Sequence, residues 1–210
     1  MDGNNWNYSD KVKEHFFHPK NILEVEPDEY QPDGMGYVGS PACGDMMKIF
    51  IKVSDDKIVD MKWQTFGCAS AIGSTSMLSE MVTREKGMPL DDAWKITPEQ
   101  IIDELGGLPA NKIHCSVLGD KALREAIKDH FRKTGQEDRI PHDDKSRIVC
   151  NCLDISEDDI RMEVLEGVKD FQGLQERTKI GTVCGQCKKD AERLVDFYVG
   201  KYYSEDIYKG

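Results

Sequence analysis

Residues 47–66 of the chain read MKIFIKVSDDKIVDMKWQTF, and this stretch predicts a β-hairpin. In residues 47–53 an apolar side chain stands at every second position, which is the period of a half-buried strand. Ser54–Lys57 is polar and predicts the turn. Ile58–Phe66 alternates again, and its pattern predicts one apolar face formed by Val59, Met61 and Trp63. Two such strands would form the centre of an antiparallel sheet.

Helical patterns lie on both sides of this hairpin in the sequence. The predicted helices cover Tyr8–Phe17, Ala69–Glu85, Leu90–Lys95, Pro98–Leu105 and Ser116–Lys133. Gly36–Ser40 predicts one further short strand. A few strands accompanied by several helices indicate an α+β domain, in which a small antiparallel sheet is covered by helices.

The composition is that of a globular protein with an acidic surface. The 210 residues carry a formal net charge of −11, which argues against nucleic acid or anionic membranes because their phosphates would be repelled. The first ten residues are polar and lack the apolar segment of a signal peptide. No stretch approaches the roughly 18 apolar residues of a membrane-spanning helix. We therefore expect a cytoplasmic protein.

Seven cysteines indicate how the chain is organised. An odd number without a secretory signal favours metal or thiol chemistry over a disulfide framework. Three of them are widely separated, and the other four form two close pairs nearer the C-terminus. A polar stretch with Gly135 and Pro141 separates the two groups and predicts a linker. The expected organisation is a first domain at 1–134, a linker at 135–147, a second domain at 148–200 and a tail at 201–210.

The second domain is expected to be small and mainly helical. Ser156 and Asp159 have the spacing of a capping box, with Asp in place of Glu, and predict a helix to about Glu166. A further helix is predicted from Cys184 to about Tyr198. The apolar content is low for an independent core, so a metal centre would help to stabilise this domain.

The four paired cysteines predict a four-sulfur site. Cys150 and Cys152 form a C-x-C pair, 31 residues follow, and Cys184 and Cys187 form a C-x-x-C pair. Four thiolates suit tetrahedral zinc or an iron–sulfur cluster, whereas a redox dithiol would need only two. Gly185 is expected to relieve crowding between the sulfurs and to leave backbone N–H groups free to bond them.

The three dispersed cysteines predict a mixed site. Cys43, Cys68 and Cys115 each lie in a predicted turn, and the last two directly precede predicted helices, whose positive ends favour the thiolate. Asp45 and His114 are near in sequence and add an oxygen and a nitrogen donor. A hard oxygen is a poor partner for a soft cluster, so such a site would release its metal easily. The alternative is three unrelated cysteines that are simply buried.

The sequence around the paired cysteines resembles a known [2Fe–2S] domain. Val149–Cys152 and Thr182–Cys187 are similar to motifs of the bacterioferritin-associated (Bfd-like) ferredoxins and of the central part of NifU. The resemblance covers roughly residues 147–199. It implies that a permanent [2Fe–2S] cluster is held by Cys150, Cys152, Cys184 and Cys187.

The first part of the chain resembles the IscU scaffold proteins and the N-terminal domain of NifU over nearly all of residues 8–133. Besides the cysteine motifs, the matching pieces are Tyr8-Ser9, His15, Pro19, Asn21, Gly36–Gly39 and Leu108-Pro109. The resemblance implies that a labile [2Fe–2S] cluster is assembled by Cys43, Asp45, Cys68, His114 and Cys115. It also implies that Cys115 accepts persulfide sulfur from a cysteine desulfurase. Asp45 would keep the cluster labile, and either Asp45 or His114 would be the fourth ligand.

Some features qualify these resemblances. Leu108–Lys112 reads LPANK where the family commonly has LPPVK, which argues against hand-off through a dedicated Hsp70 chaperone. No Nfu domain follows residue 210, so the chain resembles a shortened NifU. The interval from Cys68 to Cys115 lacks room for the insertion of the zinc-binding SufU proteins.

Residues 34–39 match the dinucleotide-binding motif G-x-G-x-x-G. A strand rather than a helix should follow, so we predict no dinucleotide site.

The resulting hypothesis is an assembly scaffold rather than an enzyme. It would receive sulfur from a cysteine desulfurase, build a labile [2Fe–2S] cluster and pass it to apo acceptor proteins. The permanent cluster would have a redox or regulatory role, and a homodimer is expected. The alternatives are a zinc-binding sulfur acceptor that stimulates a desulfurase and a ferredoxin-like electron carrier. Zinc could also occupy the assembly site as the protein is isolated.

Overall fold

The structure is a computed structural model that describes residues 8–39, 45–108, 114–141 and 147–203, with no side chains described for 114–117. Contacts divide the chain into two compact units, residues 1–140 and 141–210, and each is described by itself. Among the described residues, no helix combines the length and the apolar character that a membrane crossing requires.

The first unit is an antiparallel sheet with helices, which confirms the predicted α+β class. Its strands are β1 (Gly34–Gly39), β2 (Met46–Ser54), β3 (Lys57–Phe66) and β4 (Met88–Pro89), and they pair in that order. Its helices are α1 (Asp10–Phe17), α2 (Pro27–Tyr30), α3 (Ala69–Thr83), α4 (Leu90–Ala93), α5 (Pro98–Glu104) and α6 (His114–Lys133).

A bulge interrupts the alternation of β3. Lys52 pairs with Asp60 and Val53 pairs with Ile58, so Val59 is the extra residue in the ladder. A bulge of this kind turns the following side chains by one position. Met61 and Trp63 are buried as predicted, but Val59 is 43% exposed and Ile58 is buried instead. The prediction that Val59 shares their face was therefore wrong.

Strand β1 contacts helix α6 at backbone distance. A Cβ atom on Gly36 would lie 1.9 Å from the carbonyl oxygen of Ala122, and one on Gly34 would lie 2.2 Å from that of Ala126. Only glycine permits this approach, because any side chain would overlap the helix backbone. Strand–helix packing thus explains Gly34 and Gly36 of the G-x-G-x-x-G match. Among the described residues the next element is strand β2, whereas a dinucleotide fold would require a helix.

Hydrogen bonds of His15, Lys20 and Asn21 hold the end of α1 and the segment after it against α3 and β3. The buried His15 ring places Nδ1 2.7 Å from the Ser76 hydroxyl oxygen. The backbone N–H of Lys20 donates to the same Ser76 oxygen at 2.8 Å. The carbonyl oxygen of Lys20 accepts from Trp63 Nε1 at 2.8 Å. Asn21 adopts a left-handed backbone with φ of 61° and donates through Nδ2 to Ser79. These residues therefore have a structural role.

We expect the first unit to lose stability as the pH falls below 6.5. Burial lowers the pKa of His15 from its ordinary value of 6.5, against the attraction of Glu80 and Glu14. The unfolded chain therefore binds a proton at a higher pH than the folded chain, so this contribution to stability is complete above 6.5 and declines below it. A single proton accounts for at most about 1.4 kcal/mol per pH unit.

Urea unfolding at pH 7.5 and 5.5 measures this effect, in the wild type and in His15→Gln. All three tryptophans precede residue 141, so tryptophan fluorescence follows the first unit. His15→Gln retains a polar side chain but does not titrate, and its stability should fall less with pH. An equal fall in both proteins would contradict the assignment to His15.

The beginning of the predicted linker is part of the first unit. Glu137–Arg139 forms a short 3-10 turn, and Arg139 Nη2 donates to Asp56 at 2.9 Å and to Asp91 at 3.0 Å. The guanidinium also lies 4.6 Å from the ring centroid of Phe131. Polar composition alone suggested a linker, but this one arginine joins the segment to the hairpin turn and to α4. We therefore place the end of the first unit near residue 140.

The described residues of the second unit, 141 and 147–203, form a two-stranded ladder and three helices. Its elements are β5 (Ile148–Cys150), β6 (Ile155–Ser156), α7 (Glu157–Leu165), α8 (Phe171–Thr178) and α9 (Lys188–Tyr203). The predicted capping box is present, because Ser156 and Asp159 each bond the other's backbone N–H. Helix α8 was not predicted.

Helix α9 differs from its prediction at both ends. It begins at Lys188 rather than Cys184, and it extends three residues into the predicted tail. Tyr202 is only 4% exposed, and the Tyr203 hydroxyl donates to the Val164 carbonyl at 3.1 Å. Through these two aromatic side chains, the C-terminal end of α9 packs against the core of the second unit.

Candidate functional site

The four cysteines of the second unit form two pairs of thiols. Cys152 Sγ lies 3.4 Å from Cys184 Sγ, and Cys150 is hydrogen-bonded to Cys187. Each pair therefore joins one C-x-C cysteine with one C-x-x-C cysteine. Two sulfurs bound to one tetrahedral metal ion at about 2.3 Å lie about 3.8 Å apart, so a pair of this spacing suits two ligands of one ion.

This pairing is the arrangement that a binuclear cluster needs. The contacts give two positions with two sulfurs each. In a [2Fe–2S] cluster with four cysteine ligands, each iron ion takes two of them. The geometry fits such a cluster.

The two thiol pairs differ in how deeply they are buried, because their cysteines occupy different positions relative to β5 and α9. Cys150 ends β5 and is 2% exposed, and Cys187 directly precedes α9 and is 8% exposed. Cys152 and Cys184 lie in the loops beyond these elements and are exposed. The inner pair belongs to the core, and the outer pair lies at the surface.

Backbone N–H groups donate to all four sulfurs, and at two of the four the net shift of the pKa is downward. Burial raises the pKa of the Cys150 thiol, but hydrogen bonds from Cys187 and from the backbone N–H groups of Leu153, Gly181 and Cys152 outweigh it and lower the pKa. The N–H of Gln186, followed by the Cys152 thiol, lowers the pKa of Cys184.

The partner thiol in each pair shifts the other way. Burial, followed by the hydrogen bond with Cys150, raises the pKa of Cys187. The hydrogen bond with Cys184 raises the pKa of Cys152. The hydrogen bond within each pair thus lowers the pKa of one thiol and raises that of the other. Metal binds thiolates, so its binding would release the protons of both thiols.

Two glycines shape the loops that carry these donors. Gly181 and Gly185 both have left-handed backbones, with φ of 75° and 74°. A Cβ atom on Gly185 would lie 3.9 Å from the Gly181 carbonyl oxygen, which is ordinary contact distance, so crowding is not the reason for this glycine. Backbone conformation is the reason, because other L-residues are strained there. The N–H of Gly181 bonds the sulfurs of Cys150 and Cys187, and this residue was not predicted to belong to the site. The only signal in the sequence was an isolated glycine before the C-x-x-C pair.

In the first unit, the register of the hairpin brings Asp45 beside Cys68. Met46 pairs with Phe66, so the residue before β2 and the loop after β3 meet at one end of the sheet. Asp45 Oδ2 accepts a hydrogen bond from the backbone N–H of Cys68 at 3.3 Å. Cys68 is the N-cap of α3, where the positive end of the helix favours both a carboxylate and a thiolate.

Gly67 leaves space for this carboxylate. A Cβ atom on Gly67 would lie 3.1 Å from Asp45 Oδ2 and 3.1 Å from the Ala71 Cβ atom. These contacts are tighter than ordinary van der Waals distance, so a side chain here would push Asp45 from its place. The glycine was not predicted to matter for the site.

The remaining ligands of the predicted labile site are only partly described. Cys43 lies outside the described residues. His114 and Cys115 are the first two residues of α6, so Cys115 lies in the first turn rather than before the helix, and their side chains are not described. Asp45 and Cys68 are thus the two predicted ligands that the described structure brings together, and the full site stays a prediction.

Comparisons with known proteins match both parts of the chain to known domains. Residues 7–137 match the NifU-like N terminal domain, and residues 148–196 match the BFD-like [2Fe-2S] binding domain. "Iron-sulfur cluster assembly scaffold protein IscU 1" of Archaeoglobus fulgidus is 51% identical over 133 residues, which cover 63% of this chain and 82% of that protein. "Nitrogen fixation protein NifU" of a Nostoc species is 42% identical over 200 residues, which cover 90% of this chain and 63% of that protein.

One solved structure is similar to the first part of the chain. The N-terminal part of a nitrogen-fixing NifU-like protein from Brucella abortus aligns with a TM-score of 0.46 and 18% identity, covering 59% of this chain and 94% of that one.

The two matched domains define an iron–sulfur protein with a [2Fe–2S]-binding domain of the Bfd type. The chain belongs to the NifU-like family, since the family's N-terminal domain matches more than half of it. It spans 63% of the length of the Nostoc NifU. The match of the second domain to a [2Fe-2S] binding domain supports an iron–sulfur cluster there.

Proposed function

We propose that the chain assembles a labile iron–sulfur cluster on its first unit and keeps a resident [2Fe–2S] cluster in its second unit. The observation that carries this proposal is the contrast between two donor sets. The second unit has four thiols in two pairs, and the first unit has a thiol next to a carboxylate. Soft ligands hold a cluster firmly, whereas a hard oxygen ligand exchanges more easily.

In the first unit the cluster is cargo, and the residues that handle it have distinct roles. Cys115 accepts the outer sulfur of a persulfide from a cysteine desulfurase, which leaves the desulfurase with its thiol. Iron is held by Cys43, Cys68 and Cys115, with Asp45 or His114 as the fourth ligand. An external electron donor reduces the outer persulfide sulfur to sulfide with two electrons, which frees the Cys115 thiol. The finished cluster passes to apo iron–sulfur proteins. The chain is an assembly scaffold in the cytoplasm, accessory to the desulfurase, and forms a homodimer.

In the second unit Cys150, Cys152, Cys184 and Cys187 hold the resident cluster. A bound [2Fe–2S] cluster supplies one-electron chemistry, for assembly or for its regulation. The protein residues orient the sulfurs and donate N–H hydrogen bonds to them. They also shield the inner pair from water.

We expect Asp45→Ala to convert the labile site into a persistent one. After anaerobic reconstitution with iron and sulfide, the variant should form a second cluster more slowly and lose it to a chelator at least about tenfold more slowly, a difference of roughly 1.4 kcal/mol. The hard ligand is lost, so exchange through it stops. Absorbance and iron and sulfide analysis follow both clusters.

Asp103→Ala is the matched control, because Asp103 is an exposed aspartate on α5. It should behave as the wild type does. An Asp45→Ala cluster that is lost as fast as that of the wild type would contradict the role of the carboxylate.

A zinc-binding sulfur acceptor is the second candidate function. The mixed thiol and carboxylate pair of Cys68 and Asp45 favours it, since zinc binds both donor types. Zinc in the first unit of the anaerobically purified protein, together with no cluster there after reconstitution, would select this function over assembly.

A further inference from the structure

We propose that the two thiol pairs of the second unit are inequivalent, and that the iron ion held by Cys152 and Cys184 is the one reduced when the cluster takes up an electron. The inference rests on the proposed resident [2Fe–2S] cluster. Reduction adds one electron from a one-electron donor, converts one ferric ion to ferrous, and moves no proton and breaks no bond.

The pairing assigns the ligands to the two ions. Cys152 and Cys184 are in sulfur–sulfur contact at 3.4 Å, and Cys150 contacts Cys187. Ligands of one ion must be neighbours, whereas ligands of different ions are separated by the bridging sulfides. Each ion therefore takes one cysteine from each sequence motif, which the spacing of the motifs does not reveal.

Burial distinguishes the two ions. The inner ion would lie against Cys150 and Cys187, which are 2% and 8% exposed, and the outer ion would lie against two exposed cysteines. Reduction makes the cluster more negative by one charge. Added charge is stabilised by water and opposed by burial in a medium of low polarity. The outer ion is therefore the better place for the electron.

Backbone hydrogen bonds to the inner sulfurs are the competing effect. The N–H groups of Leu153 and Gly181 donate to Cys150, and that of Gly181 also donates to Cys187. These bonds are already made in the oxidised state, where they offset the burial of two thiolates. Water at the outer pair can reorient after reduction, and the fixed peptide groups cannot.

The surroundings of the outer pair suit an electron entry point. Leu153 and Val183 flank Cys152 and Cys184 in sequence and are 37% and 65% exposed. An electron donor that contacts this edge approaches the outer ion without crossing the core. The ion that is nearest to the donor would then also be the ion that is reduced.

Proton NMR of the dithionite-reduced full chain tests the assignment without changing any of the four cysteines of the second unit. The chain carries Cys68→Ser, so that signals come from the second unit. In a cluster with a localised valence, cysteine β-protons on the ferrous and on the ferric ion shift in opposite directions with temperature. We expect the ferrous-type protons to belong to Cys152 and Cys184, identified by their proximity to Val183 and Leu153 methyl groups.

Ligand substitution gives a second, independent readout. A serine oxygen is a harder ligand than sulfur and favours the ferric state. Cys184→Ser should therefore lower the midpoint potential more than the matched inner variant Cys150→Ser. If Cys150→Ser fails to hold a cluster, the NMR assignment alone decides.

The outcomes separate this inference from the function on which it rests. Absence of two irons and two sulfides from the second unit would overturn the proposed resident cluster, and this inference with it. A complete cluster whose ferrous-type protons belong to Cys150 and Cys187, or whose electron is shared equally by both ions, would overturn this inference alone.

Discussion

Gly36→Ala should destabilise the first unit by at least about 3 kcal/mol, at the upper end of the usual cost of overpacking. The added methyl group would lie 1.9 Å from the Ala122 carbonyl oxygen and 2.6 Å from the Ala126 nitrogen. Both atoms are helix backbone, so no rotamer change relieves the overlap. Strand β1 must separate from α6, or its pairing with β2 must shift. Urea unfolding followed by tryptophan fluorescence measures the loss.

Gly39→Ala is the matched control on the same strand. Among the described residues, a Cβ atom there would meet only the Asp45 carbonyl oxygen, at 3.9 Å, which is ordinary contact distance. Its free energy of unfolding should stay within about 1 kcal/mol of the wild type. Equal losses in the two variants would mean that strand propensity, and not the contact with α6, explains the glycines.

Cys187→Ala should abolish cluster binding in the second unit and unfold that unit partly or completely. Bound metal contributes roughly 10 kcal/mol or more to the folding of small metal domains. The second unit is small, and two of its four cysteines belong to its core. A domain of this size has little stability in reserve. Hydrogen exchange measured by mass spectrometry should show peptides of α7 and α9 losing protection by tenfold or more.

Two controls separate the cluster from the side chain. Wild-type chain from which iron has been removed should lose the same protection, because it keeps the Cys187 side chain and lacks only the metal. Cys68→Ala should leave α7 and α9 unchanged, because Cys68 belongs to the first unit. Full protection in the iron-free wild type would show that the second unit folds without its cluster.

The local elements could be predicted wherever periodicity and polar end signals agree. The hairpin at residues 47–66 and the capping box at Ser156 are of this kind. The exposure of Val59 was not predictable in this way. A bulge arises from how two strands pair, so it leaves no signal in the sequence of one strand. The 3-10 turn at Arg139 has the polar composition of a linker, and its ion pairs with Asp56 and Asp91 bring it into the first unit.

The sequence by itself determined the ligand chemistry: four thiols in two close motifs, and a carboxylate two residues after the first of three dispersed cysteines. The tertiary structure decided which ligands meet. It joins Cys152 to Cys184 across 31 intervening residues and brings Asp45 to Cys68 through the register of the hairpin. The physical reason is that residue type sets what a side chain can bind, whereas proximity between distant positions depends on how whole elements pack.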